Sequence, residues 1–245
     1  MLKDSDQLYL RAAIELARYG DYSTTPNPRV GCLIVRDGEV LGRGWHVRQG
    51  EGHAEVNALR DAGDTDVTGA TVYVSLEPCA FEGKTPPCSQ TLVRAGVSRV
   101  VAAMTDPHPK VAGHGFAELK NAGIAVDILE LPEARALNPG YLSRLNRQRP
   151  YVSLKVAMSA DGRTAMANGE SQWITGTAAR ADVQRLRARS CAVLTGIGTV
   201  LADDPQLTVR DPACAVEGSI RQPLRVILDS KLRAAPDAQV FTGPG

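Results

Sequence analysis

An α/β fold of stacked helices and strands follows from three features of this 245-residue chain. Apolar residues switch between helical and strand spacing along its length, and turn signals separate the segments. The third feature is a composition of 43% hydrophobic and 22% charged residues, which is that of an ordinary globular protein. Asp4 or Ser5 can cap a first helix running to about Arg18, with Leu8, Ala12 and Leu16 on one stripe. Val30–Val35 reads as a strand, Asp37-Gly38 as a hairpin turn and Val40–His46 as the returning strand. A helix over about His53–Arg60 ends near Gly63. Thr71–Leu76 then reads as a buried strand, Cys88–Ala95 as a helix and Val97–Met104 as another strand. Phe116–Asn121 and Ile124–Leu129 repeat the rhythm.

The polar, arginine-bearing stretch Leu137–Arg149, followed by Pro150, marks a domain boundary, giving domains over 1–147 and 148–245. Beyond it the pattern predicts a strand over Tyr151–Met158, a helix over Ala178–Arg189 and strands over Cys191–Thr195 and Leu224–Leu228. A further strand is expected to start at Gln239-Val-Phe. This second segment is thin for an independent α/β domain and reads as part of one.

Twenty-eight Lys and Arg against 27 Asp and Glu leave a net charge of +1, so no global field steers the chain toward nucleic acid or anionic membrane. No apolar run approaches the roughly 20 residues of a membrane helix. The N-terminus lacks the apolar core of a secretory signal, and five cysteines do not make a disulfide framework. Secreted, fibrous, disordered and membrane classes are excluded at this level, and a cytoplasmic location is expected.

The sharpest local signal is His53-Ala-Glu55, then Glu77-Pro-Cys79, then Cys88. One imidazole and two thiolates are three ligands of the types zinc prefers, with a fourth position left for water. Two thiolates balance the metal's charge, so the site can acidify water without a large net charge. Glu55 is awkward as a co-ligand, because helical i,i+2 positions do not share a face, but it can flank the open position as a proton carrier. Pro78 suits a first helical position, which would put Cys79 near a helix N-terminus. Taken singly, a His-x-Glu is unremarkable and a buried Cys is usually a small hydrophobe. In this order they match the His-x-Glu, Pro-Cys, Cys arrangement of zinc deaminases, in which the Glu is the general acid/base. The departure is the eight residues between Cys79 and Cys88, where those enzymes have two. A structural zinc site would want a fourth protein ligand, which His46, His108 or His114 could supply only if the fold brings one in.

The longer motifs carry a resemblance. They are Thr25-Pro-Asn-Pro-Arg-Val-Gly31, Gly50-Glu-Gly-His-Ala-Glu55, Leu76-Glu-Pro-Cys79, Gly83-Lys-Thr-Pro-Pro-Cys88 and Asp106-Pro-His-Pro-Lys-Val-Ala-Gly113 in the first half. Asp161-Gly-Arg-Thr-Ala165, Gly169-Glu-Ser-Gln-Trp-Ile-Thr175, Leu201-Ala-Asp-Asp-Pro205 and Leu207-Thr-Val-Arg210 continue it in the second. On these the chain resembles the bifunctional deaminase–reductases of riboflavin biosynthesis, in which the eight-residue gap between the cysteines is normal.

The resemblance implies a cytidine-deaminase-like three-layer domain over 1–147, followed by the N-terminal portion of a dihydrofolate-reductase-like, NADPH-dependent domain over 148–245. The first would deaminate the diaminopyrimidinone ribosylamino phosphate, with zinc held by His53, Cys79 and Cys88 and with Glu55 as the catalytic proton carrier. Asn27 and Lys84 would contact substrate, Lys84 at its phosphate. The second would reduce the ribose to ribityl. Ala157, Trp173, Thr199, Asp203 and Ser230 would contact NADPH, and Ser171, Arg187, Leu207 and Arg210 the substrate. Oligomerisation through the second domain is also implied. In the family the reductase continues past residue 245, so for this chain the expectation is a competent deaminase half and an impaired reductase half. A deaminase of free cytidine nucleotides or of tRNA adenosine would share the metal residues but would not need the Asp-Gly-Arg and Gln-Trp-Ile-Thr segments. A truncated, non-catalytic, zinc-stabilised paralogue would have no use for Glu55. Cys32, Cys191 and Cys214 are assigned no role.

Overall fold

The first helix, α1 (Asp4–Ala17), turns Leu10, Ala13, Ile14 and Ala17 inward at the three- and four-residue spacing of one helical face. It lies on a five-stranded sheet that a computed structural model of the chain describes along with the rest of residues 4–83 and 85–244. Strands β1 (Gly31–Arg36) and β2 (Glu39–Trp45) form an antiparallel hairpin. Its turn residues Asp37 and Gly38 have φ of 53° and 85°, the left-handed pair that a two-residue hairpin requires. The helix α2 (Ala54–Ala62) follows, then β3 (Thr71–Val74), α3 (Cys88–Arg94), β4 (Arg99–Ala102), α4 (His114–Asn121) and β5 (Ala125–Ile128). The sheet order is β2-β1-β3-β4-β5, with β3, β4 and β5 parallel.

Strand alternation divides the core in two. Cys32, Ile34, Val72, Val74, Val100 and Ala102 face Ala54, Ala58, Leu92, Phe116 and Leu119 on one side of the sheet. Leu33, Val35, Tyr73 and Val101 face Leu10, Ile14, Leu131 and Leu137 on the other. The result is an α/β/α sandwich. Two glycines let α2 lie directly on β2: a Cβ at Gly42 would sit 2.2 Å from the Ala58 carbonyl oxygen, and one at Gly44 2.2 Å from that of Ala54.

The Leu137–Arg149 stretch is mostly helical. After α5 (Pro132–Leu137), the helix α6 (Pro139–Arg147) starts with Pro139 in its first turn. Asn138 ties this region to the hairpin, its side chain accepting from the Arg29 N–H at 2.8 Å and donating to the Arg29 carbonyl at 2.9 Å.

The chain divides into two compact units, Met1–Tyr151 and Val152–Gly245. In the second, α7 (Thr177–Arg189) precedes β6 (Ala192–Gly196), α8 (Ile197–Asp203) and β7 (Leu224–Leu228), with β6 and β7 parallel. Its small core gathers Ile197, Val200, Leu207, Ala238 and Val240.

Two expected strands do not form. Tyr151–Met158 pairs with no strand among the described residues, and Val152 and Leu154 are 79% and 89% exposed. Without a ladder partner, the extended pattern has nowhere to place its backbone groups except water. Gln239–Phe241 closes a 3-10 turn instead, because the Asp204 carboxylate takes the Gln239 N–H at 2.8 Å. Among the described residues no helix is long and apolar enough to cross a membrane.

Candidate active site

His53 occupies the N-cap position of α2 and Glu55 lies buried in that helix's first turn. The loop that delivers His53 is held by Asn57, whose side-chain amide donates to the Trp45 and Gly52 carbonyls at 2.8 and 3.1 Å. Cys79 follows the carboxyl end of β3, and Cys88 is the first residue of α3. The expected helix start at Pro78 is therefore corrected: Cys79 sits in no helix, and the chain loops through Pro87 before α3 begins. The intended effect reaches Cys79 through space, since the Cys88 N–H at the start of α3 donates to Cys79 Sγ at 3.4 Å.

His53 Nδ1 stands 3.2 Å from Cys88 Sγ and 3.5 Å from Cys79 Sγ, and all three donor atoms lie within 4.8 Å of one another. Among the described residues no fourth His, Cys, Asp or Glu joins this group. His46 packs edge-on to His53 with ring centroids 5.3 Å apart but spends both nitrogens elsewhere, and His114 is exposed. One imidazole and two sulfurs at this spacing fit a zinc ion with an open fourth position.

Without a metal, the protein groups favour one thiolate of the pair. The Cys88 thiol donating to Cys79, with His53 adjacent, holds Cys79 down to about 4. Cys88 itself is pushed well up, by that same hydrogen bond and by burial. The contact with Cys79 raises His53 above its usual range. Burial, and then the nearby Cys79 charge, raise Glu55 to about 7. Cys32, fully buried in the sheet, is pushed well up by desolvation and packs as a core thiol.

A cavity of about 220 Å³ opens beside these groups, lined in part by Asn27, His46, His53, Glu55 and Cys79. Asn27 Nδ2 donates to His46 Nε2 at 3.1 Å, while His46 Nδ1 donates to the Gly52 carbonyl at 3.1 Å. Burial lowers the pKa of His46, and the Gly52 carbonyl favours the tautomer with its proton on Nδ1.

Several lining residues had no role in the sequence reading. Glu77 is buried and accepts from the backbone N–H groups of Asp106, Gly113, Gly115 and Phe116 at 3.0–3.4 Å. It latches the 105–113 loop and the first turn of α4 to the chain just beyond β3. Asp106 accepts from the Tyr141 hydroxyl and the His108 N–H, both at 2.8 Å. Phe81 stacks on His108 at 5.7 Å, and Arg144 completes the wall. Glu77 and Asp106 stand inside the quoted motifs, which was the available signal. For Tyr141 and Arg144 it was their three-residue spacing. Lys84 lies outside the described residues.

In the second unit, Arg187 donates to the Thr208 carbonyl at 3.2 Å, and Arg210 donates to the Gln206 and Thr208 side chains. The chain thus brings Arg187, buried Leu207 and Arg210 together around Thr208. Burial, and then the charge of Arg210, lower the pKa of Arg187. Trp173 is exposed with the Arg180 guanidinium 4.5 Å above its ring. Ser171, Thr199, Asp203 and Ser230 are exposed, and Ala157 is half-buried in the unpaired 151–158 stretch.

Comparison with known proteins adds the following. Residues 3–104 match the cytidine and deoxycytidylate deaminase zinc-binding region, and residues 150–244 match the RibD C-terminal domain. Riboflavin biosynthesis protein RibD of Escherichia coli K12 is 52% identical over 248 residues, covering 98% of this chain and 67% of that protein. The Haemophilus influenzae protein of the same name is 50% identical over 252 residues, with the same coverage of each. Among solved structures, form 1 of Acinetobacter baumannii RibD superposes with a TM-score of 0.91 at 54% identity, covering 96% of this chain and 66% of that one. A deaminase/reductase of Thermotoga maritima gives 0.87 at 39% identity, again covering 96% and 66%. The chain spans about two thirds of the length of these relatives.

Proposed function

Because this chain belongs to the RibD family of riboflavin-biosynthesis deaminase–reductases, we propose that its first unit is a zinc-dependent hydrolytic deaminase of the diaminopyrimidinone ribosylamino phosphate. The observation that carries this reading is the meeting of His53 Nδ1, Cys79 Sγ and Cys88 Sγ within 4.8 Å, with a buried Glu55 beside a cavity. His53, Cys79 and Cys88 would hold the metal. Bound zinc supplies Lewis acidity, which brings the pKa of a water toward neutrality. Net, water adds to the carbon bearing the exocyclic amine and ammonia leaves.

Glu55 is the proton carrier. A carboxyl group with a pKa near 7 can take a proton from water and return it to the pyrimidine and the leaving amine within one catalytic cycle. Asn27, its amide held by His46, presents a fixed hydrogen-bonding edge to the substrate base. Lys84 stays a proposed phosphate contact of the same substrate.

For the second unit the proposal is an NADPH-dependent reductase of the ribose. Ala157, Trp173, Thr199, Asp203 and Ser230 would serve the cofactor, and Ser171, Arg187, Leu207 and Arg210 the substrate. The paired guanidinium groups around Thr208 support the substrate half of this reading, since adjacent cations suit a phosphate.

Replacing Glu55→Gln tests the deaminase reading. The variant keeps its zinc, measured by metal analysis, while kcat falls about 10²–10⁴-fold, the usual worth of a general acid/base. A Glu55→Gln chain that turns over at the wild-type rate overturns the role.

A further inference from the structure

The arginine-bearing helix α6 contributes a cation to the cavity. Tyr141 and Arg144 stand three residues apart, the spacing that puts two helical side chains on one face, and both line the cavity wall. The Tyr141 hydroxyl is anchored to Asp106 Oδ1 at 2.8 Å, which fixes the ring. The Arg144 guanidinium carbon lies 5.7 Å from the centroid of that ring. Its head is exposed, and among the described residues no carboxylate pairs with it.

The other charged lining groups are already engaged. Glu77 is taken up by four backbone N–H groups, Asp106 by Tyr141 and His108, and Glu55 is buried against Cys88. Arg144 is the only Arg or Lys among the described lining residues. A guanidinium resting on an aromatic ring still has its N–H fork free, and that fork matches the oxygens of a phosphate bidentately.

We infer that Arg144 is a specificity residue by which this cavity recognises the phosphate monoester of its substrate, with Tyr141 as the positioning residue that holds the guanidinium. The inference rests on the deaminase reading above and names the part of the substrate that the metal centre and Glu55 do not touch. An arginine kept only as a surface charge near the carboxyl end of α6 would serve the helix and not the ligand.

The test is steady-state deamination by the full zinc-loaded chain of two substrates, the phosphorylated pyrimidine ribosylamine and its dephosphorylated counterpart. For Arg144→Gln, KM for the phosphorylated substrate rises about 10- to 100-fold and kcat stays within about twofold, the worth of a charge-assisted contact away from the reacting atoms. The dephosphorylated substrate is handled as by wild type. Arg144→Lys recovers part of the loss, because it keeps the charge but not the fork. An Arg144→Gln chain that loses equally on both substrates, or on neither, overturns the inference and leaves the deaminase reading standing. A wild-type chain that deaminates neither substrate overturns the deaminase reading itself, and this inference with it.

Discussion

At Glu55 two effects of position oppose each other. The first turn of a helix favours a carboxylate by about 0.3–1 kcal/mol at exposed sites. Burial beside the developing charge of Cys79 works the other way and prevails, lifting Glu55 to about 7. The sign of the pH effect follows. Between the ordinary carboxylate range and about 7 the folded chain binds a proton at Glu55 that the unfolded chain has released. In the chelator-stripped chain this stabilises the fold at acid pH and is lost as pH rises through the folded pKa. The depressed Cys79 pKa works the other way in both chains, so the Glu55 effect is the difference between them. Over urea titrations from pH 4.5 to 7.5 the stability of wild type relative to Glu55→Gln is expected to fall by on the order of 2–3 kcal/mol. A difference that stays constant across that range would contradict it. At this scale the sequence was most informative about the metal donors, because His53, Cys79 and Cys88 lie in short motifs whose chemistry is explicit. Their supports were harder to see. Asn27 finds His46 across 19 residues and Glu77 finds Gly115 across 38, and no local pattern joins such partners.

Elements place these side chains through close backbone contact. The N-terminus of α2 carries both His53 and Glu55, and α2 can approach β2 only because Gly42 and Gly44 have no side chain. In Gly44→Ala the new Cβ would meet Ala54 O and Ala58 N at 2.2 Å, all of it backbone with no side chain to swing away. The helix must shift. The expected cost is about 1–3 kcal/mol of stability, measured by chemical denaturation, with weaker zinc retention because His53 moves with the helix. Retained stability and zinc affinity would show that α2 is not held by that contact. Most helices and strands of the first unit were legible from apolar periodicity, with ends shifted by at most two residues. The arginine-bearing stretch was not read as a helix, since its polarity resembles that of a linker. Its inward contacts come from Tyr141, Leu142 and Ser143, with Leu142 the one apolar side chain of the three that packs on the core.

On the scale of the whole chain, the two units differ in how completely their patterns are satisfied. Every strand of the first unit's sheet is paired and its central strands are buried under helices, whereas β6 and β7 form a two-stranded sheet with Leu194, Leu224 and Leu228 about 60% exposed. Val152, Leu154, Val156 and Met158 alternate as a strand should, yet the stretch has no partner among the described residues. Alternation reports that one face of a segment can be covered. It does not report whether a neighbouring strand is there to pair with it, which is why the pattern alone misplaced this element. The ligand set belongs wholly to the first unit, so zinc should stabilise that unit. At about 100-fold excess over its Kd the gain is about 3 kcal/mol, read as slower hydrogen exchange across α2, α3 and the loop between Cys79 and Cys88, with no change in α7 or β6. Slowing spread equally over both units would contradict a single metal centre in the first.

The central claim is that the first unit hydrolyses an exocyclic amine. Mass spectrometry of the product tests it most directly, with the zinc-loaded chain incubated with the diaminopyrimidinone ribosylamino phosphate, with and without NADPH. The account predicts a product in which an amino group has been exchanged for oxygen, formed whether or not NADPH is present and abolished by prior chelation. Substrate returned unchanged by a chain carrying one zinc per molecule would contradict it.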